Sequence, residues 1–333
     1  MRFGPVPAAQ AAGAILAHAT DGRRPDGSVL ALRKGTVLEA GHVALLLRAG
    51  HATVIAARLD PGDVAEDAAA ARLAAAVAGD GLEAGAAGTG RVNLRAAGPG
   101  IVAIDADAVD ALNRVDPGIT LATVPEWQRL GAGGLAATIK IIPFAVPEAA
   151  LARACALGRG AMALWPAALP SATLIETRIG TETPPDKGRR AMADRLDRLG
   201  AALSERVVVP HEAEAIAAAL RDAPGALLLI LTASATSDAR DVAPEGLRRA
   251  GGTLVHYGMP VDPGNLLFLG TLAGRPVIGL PGCARSPALN GADWVLERIV
   301  CGHAPDAIDI AGLGVGGLLK EIPTRPRPRE GNG

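Results

Sequence analysis

The 333-residue sequence predicts an α/β protein whose second half is a three-layer α/β/α domain with a mainly parallel sheet, preceded by a mixed α+β region. Three observations predict it. Short apolar runs alternate with amphipathic helical patterns through residues 173–300, joined by brief connections, as parallel strands with covering helices require. The length exceeds the roughly 250–300 residues over which a single core keeps growing, so two domains are expected. Hydrophobic residues make up 49% and charged residues 20% of the chain, a balance that supports folded cores and excludes general disorder.

Residues 173–178 read as a strand, 179–186 as a loop and 187–203 as a helix, with Met192, Leu196 and Leu199 at helical spacing. A second strand, 206–209, leads to an Ala-rich helix over 212–221. Pro224 and Gly225 break the chain before 226–231, an apolar run short enough to be a buried central strand. The polar loop 232–241 precedes a helix starting near Pro244, since a proline's missing N–H does no harm in a first turn. Further strands are expected at 253–256, 266–269 and 276–280, the last closed by Pro281 and Gly282. Ser286 then reads as an N-cap with Pro287 at the first helical position, and the final helix runs through Trp294 to about Val300. In the Gly-rich first half, 53–57, 119–124 and 137–142 read as strands and 64–78 and 106–113 as helices. The boundary is placed in the Pro/Ala segment 165–170, giving a first region of 1–168 and an α/β domain of 169–320. Residues 321–333, basic, polar and Pro-rich, are expected to form a disordered tail.

Charge and composition exclude several functions. The 33 Lys and Arg nearly cancel the 34 Asp and Glu, leaving no basic field for a phosphate backbone. Seven aromatic residues are too few for base-stacking platforms, so nucleic acid is not expected as a partner. Cys155, Cys283 and Cys301 lie far apart without a C-x-x-C pair, which speaks against a disulfide framework or a zinc site and for a reducing, cytoplasmic setting. Mean hydropathy is +0.27, yet the most apolar stretch, 226–233, is far shorter than the roughly 20 residues that span a bilayer. No membrane partner is expected. Residues 6–19 are interrupted by Pro7 and Gln10 and preceded only by Arg2, so they are not read as a signal peptide.

In an open parallel sheet ligands gather beyond the carboxyl ends of the strands. The loops that follow strands here are 179–188, 232–241 and 281–287. They offer the hydroxyls of Thr232, Ser234, Thr236 and Ser237, the carboxylates of Asp186, Asp238 and Asp241, and the cations of Lys187, Arg189, Arg240 and Arg285. Hydroxyls, cations and helix N-termini suit a phosphate, and carboxylates suit Mg²⁺ beside it, although the same residue types also favour plain turns and caps. His211 reads as a capping or surface residue, His256 as a packed strand residue and Cys283 as a small residue that fits its turn. Lys140, among Ile139, Ile141 and Ile142, either snorkels to solvent or faces an anionic ligand.

These loops carry a family resemblance. Thr232, Ala233, Ser234, Ala235 and Thr236, then three residues, then Arg240, Asp241, Val242, Ala243, Pro244 and Glu245 resemble the T-G-G-T-G-x-x-x-R-D-V-T-P-E stretch of the molybdopterin-binding domain. That domain occurs in molybdopterin adenylyltransferases and molybdotransferases. Residues 279–286 are similar to a G-L-P-G-N-P-V-S segment and residues 259–265 to an M-K-P-G-K-P loop of the molybdotransferases, in the same chain order. The resemblance implies a molybdopterin-binding type of α/β/α fold, molybdopterin as ligand or substrate, Mg²⁺, a homo-oligomer, and a cytidylyltransferase or a molybdoenzyme as partner. It implies catalytic roles for Asp241, Asp186 and Glu182, with Asp241 and Asp186 on the metal. Cofactor binding falls to Thr232, Ser234, Thr236, Asp262, Gly264, Asn265, Pro281, Gly282 and Ser286. Three of the family's glycines are replaced, by Ala233, Ser234 and Thr236, and its G-D-E-like acidic pair reads Gly180, Thr181, Glu182. The expected function is therefore binding of molybdopterin during molybdenum cofactor biosynthesis or delivery. The alternatives are a Mg²⁺-dependent adenylyltransferase or molybdotransferase and a nucleotide pyrophosphatase-like hydrolase.

Overall fold

A computed structural model describes residues 1–319. The chain divides into two units, one of Met1–Gly98 with Val102–Trp165, the other of Pro99–Ile101 with the chain from Pro166 onward. The tail expected at 321–333 lies outside the described residues.

In the first unit, Leu135–Ile141 lies inside a four-stranded antiparallel sheet, between Ile119–Thr123 on one side and Arg91–Ala96 followed by Leu82–Ala84 on the other. The helices Glu66–Val77, Ala106–Asn113 and Glu148–Leu157 close an aliphatic core of Leu73, Val77, Leu94, Leu112, Ile139, Ile141 and Leu151. Ala106–Asn113 starts where expected because the Asp105 carboxylate accepts from the Ala108 amide at 2.9 Å. A second, smaller core forms around Leu16, Leu38, Leu46 and Val54, where Thr53–Arg58 is flanked by Arg2–Pro7 and Ile15–Leu16. The expected elements appear with shifted ends, the helix expected at 64–78 being split into the strand Asp63–Ala65 and the helix Glu66–Val77. Short strands such as the hairpin Thr20–Arg23 and Val29–Leu32 were not anticipated, since four residues carry too little periodicity to be read.

The second unit is built on one seven-stranded sheet. Its strands are β1 (Ser171–Arg178), β2 (Ala202–Leu203), β3 (Val207–Pro210), β4 (Leu227–Leu231), β5 (Thr253–Tyr257), β6 (Phe268–Leu272) and β7 (Arg275–Leu280). Its helices are α1 (Lys187–Asp197), α2 (Ala213–Asp222), α3 (Val242–Arg249), α4 (Gly291–Val300) and α5 (Ala307–Gly312). All five residues of β4 are buried, and β1 and β7 pair with it in parallel on its two sides. A continuous apolar run is what such a position demands. Ile175, Leu228 and Ile230 face Ile216 and Leu220 of α2 and Leu247 of α3. The alternate residue Leu231 lies against Gly188 of α1, so helices cover both faces.

One expectation is refined and two need correction. The sheet is mainly parallel, with four parallel pairings, but it is mixed, because β5, β6 and β7 pair antiparallel. Ala273 and Gly274, at φ 49° and 78°, form a two-residue connection between β6 and β7 that can join only antiparallel neighbours. The helix expected through residue 203 ends at Asp197; Gly200 at φ 80° turns the chain and releases Ala202 and Leu203 to extend the sheet beside Ser171 and Ala172. Ser286 is not the cap of the last helix. Residues Gly282–Arg285 form a 3-10 turn, Ser286 is extended, and α4 begins five residues later with Asn290 as N-cap. There the Asn290 side chain accepts from the Ala292 amide at 3.0 Å while Asp293 accepts from the Asn290 amide at 2.7 Å. This reciprocal box satisfies more of the first-turn donors than a lone serine would.

Candidate functional site

The loops 179–186, 232–241 and 281–290 leave the carboxyl ends of β1, β4 and β7, three consecutive parallel neighbours, and so share one edge of the sheet. Each is held by a polar side chain that the pattern of motifs did not single out.

At the end of β1, the Glu176 carboxylate is 2% exposed and accepts from Arg206 Nε at 2.8 Å. Arg206 also donates to the Pro184 carbonyl at 2.6 Å and stands 3.7 Å from Asp186. A buried carboxylate thus positions the cation that clasps the first loop. Next along the strand, the Thr177 hydroxyl accepts from the Ala233 amide at 2.6 Å and lies 2.9 Å from His211 Nδ1. His211 is therefore more than a surface residue. With Arg178, Gly180, Thr181 and Glu212 it lines a concavity of about 480 Å³ beside the first loop.

The second loop takes its shape from its own hydroxyls. Thr232 donates to the Ser234 carbonyl at 2.5 Å, and the buried Thr236 presents its carbonyl to the Tyr257 hydroxyl at 2.9 Å. Ser234 is exposed. Positive φ occurs at only three non-glycine residues among those described, none of them in this loop. Where the resembled stretch has glycines, Ala233, Ser234 and Thr236 therefore adopt ordinary backbone angles without strain. Asp241 is the N-cap of α3: one carboxylate oxygen accepts from the Val242 amide at 2.7 Å and the other from the Ser237 amide at 3.0 Å.

The third loop is fixed by Arg195 of α1. Its guanidinium, 8% exposed, pairs with Asp293 of α4 and donates to the carbonyls of Ala284 at 3.0 Å, Ser286 at 2.8 Å and Ala288 at 3.2 Å. Within this loop Arg285 reaches back to donate to the Thr232 carbonyl, so the loops after β4 and β7 are tied directly. Burial lowers the pKa of Arg285 while the Glu176 charge opposes that shift. A Cβ at Gly188 would stand 2.9 Å from Leu231 and 3.3 Å from the stem of Arg285, so the glycine lets the first turn of α1 approach the end of β4.

The sequence-predicted residues fall into three groups. Thr232, Ser234 and Thr236 share one loop, and Pro281, Gly282 and Ser286 form the turn carrying Arg285 that meets it. Asp262, Gly264 and Asn265 build a separate turn. There Asp262 exchanges backbone bonds with Gly317 and Leu319, Asn265 accepts from the Met259 amide, and Gly264 lies so close to Gly291 that a Cβ would approach its nitrogen to 2.8 Å. The third group, Asp241, Asp186 and Glu182, is not assembled into a metal centre: among the described residues no three His, Cys, Asp or Glu groups converge in such a way. Asp241 is engaged in capping, and Asp186 stands 3.7 Å from Arg190 as well as from Arg206. Mg²⁺ is commonly held by one or two carboxylates together with water and substrate phosphate, and here the two carboxylates expected on it are each already engaged by the protein. Glu176 and Arg195 had a legible signal, since a charged residue inside an apolar strand and an arginine on the apolar side of a helical pattern both demand buried partners.

Residues 172–299 match the model of a probable molybdopterin binding domain, and residues 5–58 match a domain of unknown function, DUF8806. The resemblance drawn from the loop motifs is thereby shown for the second unit. Among solved structures, the molybdopterin biosynthesis MoeA protein from Pyrococcus horikosii matches over 90% of this chain and 75% of its own, at 14% identity and a TM-score of 0.33. No curated protein matches. No helix among the described residues is long and apolar enough to cross a membrane.

Proposed function

We propose, on the premise that residues 172–299 belong with the molybdopterin-binding domains, that the second unit binds molybdopterin during molybdenum cofactor biosynthesis or delivery. The phosphate end sits where the first turn of α1, the loop 232–236 and Arg285 approach one another, and the concavity beside His211 extends that surface. The carrying observation is the link from Arg285 to the Thr232 carbonyl, which joins two of the three family-like motifs at the carboxyl edge of adjacent strands. A half-buried guanidinium and a helix N-terminus are complementary to a phosphate. Binding is favoured over Mg²⁺-dependent transfer because Asp241 and Asp186 are already engaged and no three candidate ligands gather among the described residues.

Calorimetric titration of the full chain with molybdopterin and with its adenylylated form, each with and without Mg²⁺, tests this. Saturable binding insensitive to Mg²⁺, weakened about tenfold or more by Arg285→Ala, supports it, since a lost hydrogen bond to a charged group is worth about 1.5–3 kcal/mol. Mg²⁺-dependent adenylyl transfer from ATP by the unmodified chain would replace binding with catalysis.

A further inference from the structure

Away from that site, the first unit holds a cleft of about 680 Å³ whose lining joins the residue pair Ala17 and His18, the turn at Lys34 and the segments 89–91 and 140–144. The chain has only four lysines, and two of them, Lys34 and Lys140, line this cleft together with Arg91. Glu66 is the one carboxylate in the lining, 3.5 Å from Lys140 Nζ. The Met1 ammonium at the cleft is paired with Asp60 and Asp63, so among the lining side chains three cations face one anion, an excess of two positive charges.

Lys140 is held in place from two sides. Its Nζ donates to the Thr89 carbonyl at 2.6 Å, and Thr89 reaches that position in the left-handed region, at φ 51°. A left-handed threonine is uncommon and costs energy, and such conformations gather at ligand sites. Gly90 follows at φ 69°, its amide donating to Asp67 at 2.6 Å, and a Cβ there would fall 2.8 Å from Lys140 Nζ and 2.6 Å from the Ile141 carbonyl. The two left-handed residues therefore set the partly exposed ammonium at the cleft wall. Beside His18 and Thr89 the remaining lining carries exposed apolar side chains: Phe3 is 58% and Ile142 61% exposed, and Lys34 Nζ stands 5.7 Å from the centre of the Phe144 ring.

From this combination we infer that the first unit carries a second ligand site, for a small phosphate monoester with an aromatic or apolar body. The phosphate, close to a dianion at neutral pH, neutralises the excess charge of Lys34, Arg91 and Lys140, whereas a single carboxylate leaves one cation unbalanced. Phe3, Ile142 and Phe144 cover the body, in the usual pattern of an apolar pocket with a few convergent polar groups.

Phenyl phosphate is the probe. Titrated into the full chain, it binds saturably and more tightly than benzoate or inorganic phosphate, and the K34A/R91A variant, altered only at two exposed side chains, binds it about tenfold or more weakly while melting at the wild-type temperature. Independently of any variant, amine-acylation footprinting of the wild type shows phenyl phosphate protecting Lys34 and Lys140 but not Lys187. Protection of Lys187 alone, unchanged affinity in K34A/R91A, or equal affinity for inorganic phosphate or benzoate would each overturn the inference. None of these outcomes depends on molybdopterin binding by the second unit.

Discussion

The Ala233 amide donates to the Thr177 hydroxyl at 2.6 Å, tying the loop after β4 to the end of β1. Because His211 Nδ1 lies 2.9 Å from the same hydroxyl, one threonine organises both the loop that resembles a phosphate-binding motif and the wall of the adjoining concavity. Thr177→Val keeps the shape and removes the acceptor. It is expected to lower stability by about 0.5–1.5 kcal/mol, the net worth of a typical hydrogen bond, and to raise amide exchange across residues 232–236. Thr177→Ser should restore both, and hydrogen-exchange mass spectrometry with urea melts reads them out.

The Arg195–Asp293 pair bridges α1 and α4 with both side chains 8% exposed. Removing one partner leaves a buried charge, so Arg195→Met or Asp293→Asn should cost about 3–5 kcal/mol. The double replacement by apolar residues should cost clearly less than the sum. Strict additivity in denaturant melts would show that the two groups do not interact.

Tyr257 is the chain's one tyrosine, and its hydroxyl donates to the Thr236 carbonyl at 2.9 Å. Burial raises its pKa, with Asp238 and Asp241 adding to the shift. The folded state therefore holds the phenolic proton more tightly than the unfolded one. Its contribution to stability is complete below about pH 10 and falls away as pH rises through the folded value. Tyrosinate absorbance near 295 nm (about the usual band) should titrate with a midpoint above 10 in the native protein and near 10 in guanidinium; a native midpoint at or below 10 contradicts the buried hydroxyl.

Asp241 caps α3 with one carboxylate oxygen, on the Val242 amide, and holds the loop with the other, on the Ser237 amide. Asp241→Ala should lose about 0.5–2 kcal/mol, while Asp241→Asn, which keeps an acceptor oxygen, should lose less. Under the binding reading both weaken molybdopterin only through the loop, so affinity should follow the loss of stability. An Asn variant of full stability that no longer binds would instead place the charge on the ligand.

Converting Ala233, Ser234, Ala235 and Thr236 to Gly, Gly, Thr and Gly introduces the residues of the resembled stretch into a loop that needs no positive φ. The expected effect is a looser loop and a lower melting temperature, because glycine raises the entropy of the unfolded chain. A gain of adenylyl transfer activity in that variant would show that the glycines, and not the engaged carboxylates, limit catalysis.

Much of the second unit was determined by the sequence alone. β4 and its loop were readable because a strand buried on both faces must be continuously apolar and the chain must turn polar where it emerges; the loop motifs lie at that emergence. In the first unit the helix over 106–113 was equally local, and the structure starts it at the Asp105 cap. Tertiary structure alone decided three things. The β6–β7 hairpin set the mixed sheet, since strand direction depends on which neighbour a segment meets. The start of α4 passed from Ser286 to Asn290 because Asp293 could serve the cap and Arg195 at once, a partnership spanning 98 residues. And Asp241 and Asp186, plausible together in the sequence, were engaged by partners closer to hand. Capping amides and arginines hold a carboxylate wherever geometry offers them, and spacing along a chain carries no record of that competition.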